Sequence, residues 1–326
     1  MNNETSRPVR RQAPNNAGGG SGLINILFII NDLKIGGAEK MLLYLISGLD
    51  RTLYNPVVCT LLDRGEYRHF LKTHDIKYYT LDMQSYYKVP LALFKLIRIV
   101  RAENVSIIHS YLFYSDLMAR AAGLLAGVRV VITSMRNIDL WRKPHHIFID
   151  SLTYGLSSAI ISNSLAGAAR LSNVEKIPSD KIKVVYNAIK LDEYALGESY
   201  SRMEFRNSIG VGPGDYMIVT VARLEEQKDH LTLLKTARHT LGALGEKKGK
   251  EFAARVKFVL AGGGALMDEL KEEAAKLGLN ENVIFLGTRT DIKDILHAAD
   301  LFLLTSIYEG IPNAIQIGRA SCRERV

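Results

Sequence analysis

The hydrophobic positions of this chain form short β-branched runs that alternate with longer stretches of helical periodicity. The pattern predicts strands at 23–30, 55–62, 105–109, 128–133, 159–163 and 182–186. It predicts helices at 37–49, 65–74, 90–103, 114–126, 143–156 and 164–173. Strands that alternate with helices indicate a parallel sheet covered by helices on both faces.

A second series of the same kind begins after a break. Residues 190–214 hold no predicted strand and are rich in Tyr, Ser and Glu. Beyond them the pattern predicts four strands at 216–222, 256–261, 282–286 and 300–304, three helices at 229–243, 265–277 and 291–298, and a solvated charged loop at 245–251. We therefore predict an α/β protein with two Rossmann-like, doubly wound domains that bind ligand in the cleft between them.

The predicted domain organisation follows from these breaks in the pattern. Residues 1–22 are polar and rich in Gly and Asn, which is typical of a disordered tail. The first domain covers 23–190, the hinge covers 191–214, and the second domain covers 215–316.

Composition narrows the classes of partner and compartment. The 326 residues include 42 Lys and Arg against 34 Asp and Glu, and the resulting charge of +8 favours an anionic partner. The cations are spread along the chain without interleaved aromatic residues, so we do not expect nucleic acid to be that partner. Cys59 and Cys322 form neither a disulfide framework nor a zinc motif, which fits a reducing cytoplasm. The apolar run 23–30 is too short to cross a bilayer.

Two glycine-rich segments directly follow predicted strands. In IGGAEK (35–40), Gly36 and Gly37 allow close approach of the backbone to a ligand, and the helix that starts there directs free N–H groups towards it. In AGGGALMDEL (261–270), Gly262 and Gly263 could line a phosphate or nucleoside in the same way. A plain strand–helix turn explains either segment equally well.

Two further loops carry charges at the carboxyl ends of strands in the second domain. VARLEEQKDH (221–230) supplies Arg223 and Lys228, a pair that suits a diphosphate because arginine binds phosphate oxygens bidentately. LLTSIYEGIPNAIQ (303–316) places Glu309 before a helix start, where its carboxylate can accept hydrogen bonds from sugar hydroxyls. The alternatives are solvated surface cations and a helix cap.

Polar residues also follow strands of the first domain. His109 and Tyr111 close a strand in IIHSYLFYSD (107–116), and we expect His109 to face the cleft. Other candidates at strand ends are Arg136, Asn137, Asn163 and Asn187. Turn formation, which asparagine favours, is the alternative for these residues. The helical segment 88–101 has a basic side, which we interpret as a solvated face rather than a membrane surface.

With these motifs in this order, the chain from Ile24 to Gln316 resembles the family-4 retaining glycosyltransferases of the GT-B fold. The resemblance is carried by the glycine loop and first-domain landmarks IGGAEK, SMRN, SNS and VVYNAI. It is carried equally by the second-domain landmarks VARLEEQKDH, IFLGTRTDI and AADLFLLTSIYEGIPNAI. No single motif is decisive, but the ordered set is highly specific.

The resemblance implies a retaining hexosyltransferase that needs no metal or cofactor. Its donor would be a nucleotide-diphosphate sugar, most commonly a UDP-sugar, bound mainly by the second domain. Its acceptor would be a saccharide or a lipid-linked molecule of cell-envelope polysaccharide synthesis, bound mainly by the first domain. Such an enzyme is expected in the cytoplasm, with peripheral contact to the inner face of the membrane.

The resemblance also implies roles for individual residues. Arg223 and Lys228 would neutralise the donor diphosphate, and Glu309 matches the first glutamate of the family's E-x7-E motif, which contacts the donor sugar. We count His109 as a fourth catalytic candidate beside these three residues. The family, however, often has a second histidine where this chain has Tyr111. The remaining donor-side candidates are Gly36, Gly37, Gly262, Gly263, Thr288, Arg289, Gly310, Ile311, Pro312 and Asn313. The acceptor-side candidates are Tyr111, Arg136, Asn163 and Asn187.

The last residues depart from the family pattern. The second glutamate of E-x7-E, expected to hold the ribose, is Ile317. We interpret 317–326 as a non-native tail that resembles translated adapter sequence, and we expect the second domain to be incomplete and this chain to be inactive. A non-catalytic nucleotide-sugar-binding or regulatory GT-B homologue is the alternative. A nicotinamide-dependent oxidoreductase is disfavoured because Met41 stands where G-x-G-x-x-G needs its last glycine.

Overall fold

The computed structural model describes residues 22–136, 141–195, 197 and 200–321, except for the side chains of Tyr86 and residues 319–321. Residues 1–21 of the tail predicted at 1–22, the candidate Asn137 and residues 322–326 lie outside the described residues. The predicted domain boundaries stay predictions.

The first sheet has seven parallel strands. They are β1 (Ile24–Ile30), β2 (Tyr54–Thr60), β3 (Lys77–Thr80), β4 (Ile107–Tyr111), β5 (Val130–Met135), β6 (Ala159–Ser162) and β7 (Ile182–Val184). Their order is β3-β2-β1-β4-β5-β6-β7, which is the doubly wound arrangement that we predicted. The sequence pattern missed β3 because this edge strand has only four residues, none of them buried.

Among the described residues, six helices belong to this half and cover the sheet. They are α1 (Gly37–Ser47), α2 (Arg68–Thr73), α3 (Val89–Ala102), α4 (Phe113–Ala126), α5 (Pro144–Thr153) and α6 (Leu165–Asn173). Successive residues of β1 point to opposite faces, so Phe28 packs with Leu42 of α1 on one side while Ile29 packs with Leu96 of α3 on the other. Burial on both faces explains why this strand is uninterruptedly apolar from Ile26 to Ile30.

The second sheet is smaller. Its parallel strands are β8 (Tyr216–Val221), β9 (Val256–Ala261), β10 (Val283–Gly287) and β11 (Leu301–Phe302), in the order β10-β9-β8-β11. The helices of this half are α7 (Arg202–Ser208), α8 (His230–Lys248), α9 (Lys250–Ala254), α10 (Met267–Lys276), α11 (Ile292–Ala298) and α12 (Asn313–Ser321). The described residues of the predicted hinge hold no strand, as expected, but they do hold α7.

The prediction of a charged loop at 245–251 is wrong. Helix α8 continues to Lys248, and α9 begins again at Lys250. The break between them is confined to Gly249, which has φ +93°. Glutamate and lysine are good helix formers, so charge alone does not end a helix, whereas a glycine at positive φ does.

Helix α12 crosses the boundary that we predicted at residue 316. Ile317 lies within this helix, is only 7% exposed, and packs with Ile295, Leu296 and Phe302. An apolar residue is therefore suited to this position, because its side chain faces the core of the second half. Whether residues 317–326 are native stays a prediction.

A buried ionic cluster anchors α5 to the first sheet. Asp150 on the inner side of α5 pairs with Arg120 of α4 and, at 2.6 Å, with Arg142, while Arg142 also pairs with Glu175 at 2.8 Å. The four side chains are between 0% and 8% exposed. Burial raises the pKa of Glu175 to about 7, although Arg142 opposes this shift. The cluster holds Arg142 between α5 and Glu175.

Candidate functional site

Lys228 and Glu309 meet where the loops after β8 and β11 come together. Their Nζ and Oε1 atoms are 2.5 Å apart, and the side chains are only 16% and 19% exposed. The two loops are also joined directly: the backbone N–H of Ile307 donates to the Gln227 carbonyl at 2.9 Å, and the Thr305 hydroxyl donates to the Asp229 carbonyl at 2.9 Å. The structure thus brings together a lysine and a glutamate that are 81 residues apart in sequence.

Arg223 lies on the loop just after β8 and remains accessible. Its side chain is 57% exposed and its Nη1 lies 2.9 Å from Oε1 of Glu225. This loop packs on the glycines after β9, because Leu224 donates its N–H to the Gly263 carbonyl at 2.9 Å. A Cβ atom at Gly262 or Gly264 would collide with a backbone carbonyl oxygen of that loop. The glycine run is therefore needed for packing, whether or not it also touches a ligand.

The loop after β10 carries the remaining candidates of the second half. The Thr288 hydroxyl lies against Gly263, where an added Cβ would collide with it. Arg289 pairs with Asp291, and its Nε lies 2.8 Å from Oδ1 of that residue. Hydrogen bonding from Arg289 lowers the pKa of Asp291. Arg223 and Arg289 are thus each paired with a carboxylate two residues along the same loop, whereas Lys228 pairs with a carboxylate of the facing loop.

Two helix N-termini meet at the cleft. Gly36 precedes α1 in an extended conformation, and α12 begins at Asn313. The Asn313 side chain donates from Nδ2 to the Gly37 carbonyl at 3.3 Å, so the two helix ends are in contact. The half-buried Glu39 also lies here, and burial raises its pKa to about 7, with Arg223 opposing the shift. Free N–H groups and positive dipole ends from both helices converge on this point.

Two first-domain candidates lie in the core instead of facing the cleft. His109 is 6% exposed, and its Nε2 lies 2.8 Å from the Ser134 hydroxyl. Burial lowers the pKa of His109 to about 3, so its ring is neutral at pH 7. Tyr111 is fully buried and stacks on His109 with ring centroids 4.7 Å apart. Our expectation that His109 faces the cleft is wrong, because consecutive inward positions of β4 bury both rings.

The other first-domain candidates reach the loop that carries Glu309. Arg136 lies over the Tyr111 ring at 4.8 Å, and its carbonyl accepts a hydrogen bond from the Asn163 side chain at 2.9 Å. Gly310 packs against Asn163 so closely that an added Cβ would collide with the Oδ1 atom. Asn187 donates to the carbonyl of Ile311 at 3.2 Å.

Sequence reasoning did not single out two residues at this junction. Glu39 stands at the third position of α1, and its place in IGGAEK directly after two glycines was the available signal. Gln316 donates from Nε2 to the Asn187 carbonyl at 3.3 Å, and the sequence carries no sign of that contact. Pro312 stands directly before α12, as expected for a residue that starts a helix.

Comparison with known proteins identifies the family. A family model described as "Glycosyltransferase Family 4" matches residues 35–193, and one described as "Glycosyl transferases group 1" matches residues 201–316. The chain belongs to glycosyltransferase family 4. The two matches meet at the segment that we predicted as the hinge.

Relatives and solved structures agree with the membership in family 4. The putative glycosyltransferase EpsF of Bacillus subtilis is 26% identical over 91% of this chain and 77% of its own length. The Escherichia coli UDP-Gal:α-D-GlcNAc-diphosphoundecaprenol α-1,3-galactosyltransferase is 26% identical over 69% of the chain, which spans 58% of that protein. The crystal structure of Anabaena HepE in complex with UDP and glucose superimposes with a TM-score of 0.77 at 22% identity, covering 91% of this chain and 78% of that one. The family-4 chain therefore has the GT-B fold.

Two kinds of structural feature are absent from the described part of this family-4 glycosyltransferase. No group of three or more His, Cys, Asp or Glu residues is placed there to hold a metal ion. Within the same residues, no helix combines the length and the apolar character that crossing a membrane requires.

Proposed function

We propose that this family-4 glycosyltransferase binds a UDP-sugar and transfers the sugar, with retention of anomeric configuration, to a lipid-linked or polysaccharide acceptor of the cell envelope. The UDP-bound structure of HepE supports the choice of nucleotide. The name of the E. coli relative, a galactosyltransferase that acts on a diphosphoundecaprenol-linked sugar, supports the class of acceptor.

One observation carries this proposal: the N-termini of α1 and α12 meet where Arg223 and Lys228 also lie. Asn313 and Gly37 join the helix ends, and Lys228 reaches the same loop through Glu309. Two helix ends and two cations suit a diphosphate. Negative charge grows on a leaving diphosphate as the glycosidic bond breaks, and donors that are already in place stabilise that charge without reorganisation. We propose that these groups do so without a metal ion.

Glu309 is the group that we propose to hold the donor sugar. Its carboxylate accepts from Lys228 and stands beside Gly310, so sugar hydroxyls that reach this loop would meet an ionised acceptor. Lys228 would then serve two partners, the diphosphate on one side and Glu309 on the other.

A second candidate function rests on Ile317. The family's ribose-binding glutamate is expected at this position, but the isoleucine is buried among apolar residues. A chain without that carboxylate would still bind a nucleotide sugar through the diphosphate groups while turning it over poorly. The alternative function is therefore a nucleotide-sugar-binding protein, which would show little or no turnover.

The test is a calorimetric titration of the protein with UDP and UMP. We expect UDP to bind at least about tenfold more tightly, because only UDP brings the second phosphate to the two cations and two helix ends. Equal affinities for UDP and UMP would contradict the diphosphate site. A panel of UDP-sugars then separates the two functions, since release of free sugar supports the enzyme and binding without release supports the binding protein.

We also propose that the first domain touches a membrane surface through α5 and α3. Helix α5 reverses the usual distribution of side chains, because the charged Asp150 faces inwards while the apolar Phe148 and Leu152 are 62% and 66% exposed. Helix α3 exposes Leu91 and Phe94 at 68% and 58%, and α4 packs against both helices. Exposed cations of α3 continue this surface, namely Lys95, Arg98 and Arg101. They form the basic side that the sequence alone led us to interpret as solvated, and the exposed apolar residues beside them are the reason for the change. Apolar side chains beside cations are typical of interfacial helices, and the surface would lie at the inner face of the membrane.

We expect Phe148→Ser with Leu152→Ser to weaken vesicle binding roughly tenfold or more, because two exposed apolar side chains no longer enter the lipid. Flotation with vesicles of phosphatidylcholine and phosphatidylglycerol measures the bound fraction. Leu231→Ser is the control, because it removes a 41% exposed leucine from α8 in the second half. Equal flotation of all three proteins, or no flotation of the wild type, contradicts the proposed membrane contact.

A further inference from the structure

Asn187 joins the two halves of the molecule through its side-chain amide. It follows β7, and its Nδ2 donates both to the Ile311 carbonyl at 3.2 Å and to Oδ1 of Asn313 at 2.8 Å. Its Oδ1 accepts from Nη1 of Arg136 at 3.3 Å. Both hydrogens of this amide are therefore donated to the segment that carries Glu309, and its oxygen accepts a hydrogen bond from the first domain.

The contact continues beyond Asn187 in both directions. Asn313 connects Asn187 to the glycine loop, because its own side chain donates to the Gly37 carbonyl at 3.3 Å. Gln316 returns from α12 to the Asn187 carbonyl at 3.3 Å. We call Asn187, Asn313 and Gln316 the amide clasp. All three side chains are uncharged, so the clasp can form and open without any change in protonation.

The clasp determines where Glu309 stands. Lys228 holds Glu309 from within the second half, while the clasp holds residues 311–313 from the first. The loop between these two attachments includes Gly310, which fits against Asn163 only because it lacks a side chain. If the clasp opened, the loop would be held only from the second half, by Lys228 and by the hydrogen bonds of Thr305 and Ile307, and the ends of α1 and α12 would be free to separate.

We propose that Asn187 is a positioning residue that fastens the Glu309 loop to the first domain through Asn313, rather than a residue that contacts the acceptor. This inference rests on the proposed function, because it concerns the site that would hold the donor. An amide with both hydrogens engaged by the protein has none left to donate to an acceptor hydroxyl. It acts through the loop that it holds.

Hydrogen exchange followed by mass spectrometry tests the clasp without any ligand. We expect Asn187→Ala to speed exchange about tenfold in peptides that cover 303–316 and 33–41, because the hydrogen bonds that join these segments are lost. Asn313→Ala removes the same contact from the other side and should have the same effect. The effect of the double variant should be smaller than the sum of the two single effects, since the two residues share the hydrogen bond between Asn187 Nδ2 and Asn313 Oδ1.

Asn207→Ala is the matched control, because it removes an exposed asparagine from α7. It should leave exchange in both segments unchanged. Exchange at the wild-type rate in Asn187→Ala and Asn313→Ala overturns the clasp, as does a double variant whose effect is the sum of the two singles. Thermal unfolding of each variant identifies one that fails to fold, in which case the other single variant decides.

A UDP titration of the same variants separates this inference from the proposed function. We expect Asn187→Ala to bind UDP about three- to tenfold more weakly, because part of the binding free energy must then close the loop. If the wild type does not bind UDP, the proposed function fails while the exchange result still decides the clasp. If UDP binds and exchange is unchanged in both single variants, only the clasp fails.

Discussion

Replacing Lys228 by alanine is expected to weaken UDP binding by about 10- to 100-fold, since a charge-assisted hydrogen bond contributes roughly 1.5–3 kcal/mol. Removing the ammonium group also leaves the Glu309 carboxylate, only 19% exposed, without its partner beside the incoming diphosphate. Repulsion then adds to the lost attraction. Arg223→Ala should weaken UDP binding in the same direction, and because Arg223 is 57% exposed the fold should tolerate its loss.

Calorimetric titration measures these affinities, and Lys235→Ala is the control because it removes an exposed lysine from the adjacent helix α8. Its UDP affinity should equal that of the wild type. Wild-type affinity in both Lys228→Ala and Arg223→Ala would remove the assignment of these cations to the diphosphate. Thermal unfolding of each variant verifies that a weakened affinity does not reflect loss of the fold.

Replacing Arg142 by alanine is expected to lower the free energy of unfolding by about 3–5 kcal/mol, the usual effect of removing one partner from a buried ion pair. Arg142 is 2% exposed and serves both Asp150 and Glu175. Its loss removes the arginine that pairs with Glu175, which stays buried beside Asp150. The cost arises from uncompensated buried charge, so it should far exceed that of a surface substitution.

The effect should grow with pH. Burial raises the pKa of Glu175 to about 7, above its ordinary value of 4.5, so the folded protein binds the extra proton between these values and loses stability as pH rises through them. Arg142 opposes this shift, so its removal raises the pKa further and extends the loss of stability above pH 7. We therefore expect Arg142→Ala to be more destabilising at pH 8 than at pH 6.

Urea unfolding of Arg142→Ala at pH 6 and pH 8 checks this expectation. Arg98→Ala is the control, since it removes an exposed arginine from α3 and should change stability by less than about 0.5 kcal/mol. A variant at position 142 that unfolds at the same urea concentration as the control at position 98 would show that the buried cluster contributes little to stability.

The sequence predicted most elements because hydrophobic periodicity reports burial directly. Strand β1 reads as a continuous apolar run from Ile26 to Ile30 since both of its faces are covered there. Strand β3 escaped notice because an edge strand of four half-exposed residues needs no such run. The helical nature of 245–248 was missed because charge was taken to indicate a loop, whereas charged residues with good helix propensity extend α8.

The candidate site was likewise only partly predictable from the sequence. Loops at the carboxyl ends of parallel strands must lie at one edge of a sheet, so the sequence could select Arg223, Lys228 and Glu309. It could not tell that Lys228 and Glu309 pair with each other, because that contact joins residues 81 positions apart. It also misjudged His109, since alternation along β4 does not reveal which inward position opens to the cleft.

By itself, the sequence determined the two successive α/β series, the loops that carry the charged residues, and the resemblance to family 4, which the comparisons confirmed. These properties depend on local periodicity and on motif order, and both are written along the chain. Only the tertiary structure decided that α1 and α12 meet at their N-termini, that Asn187 is engaged by the Glu309 loop, and that Ile317 lies in the core. Those outcomes depend on how the two halves pack against each other, and packing between distant segments leaves no periodic signal in the sequence.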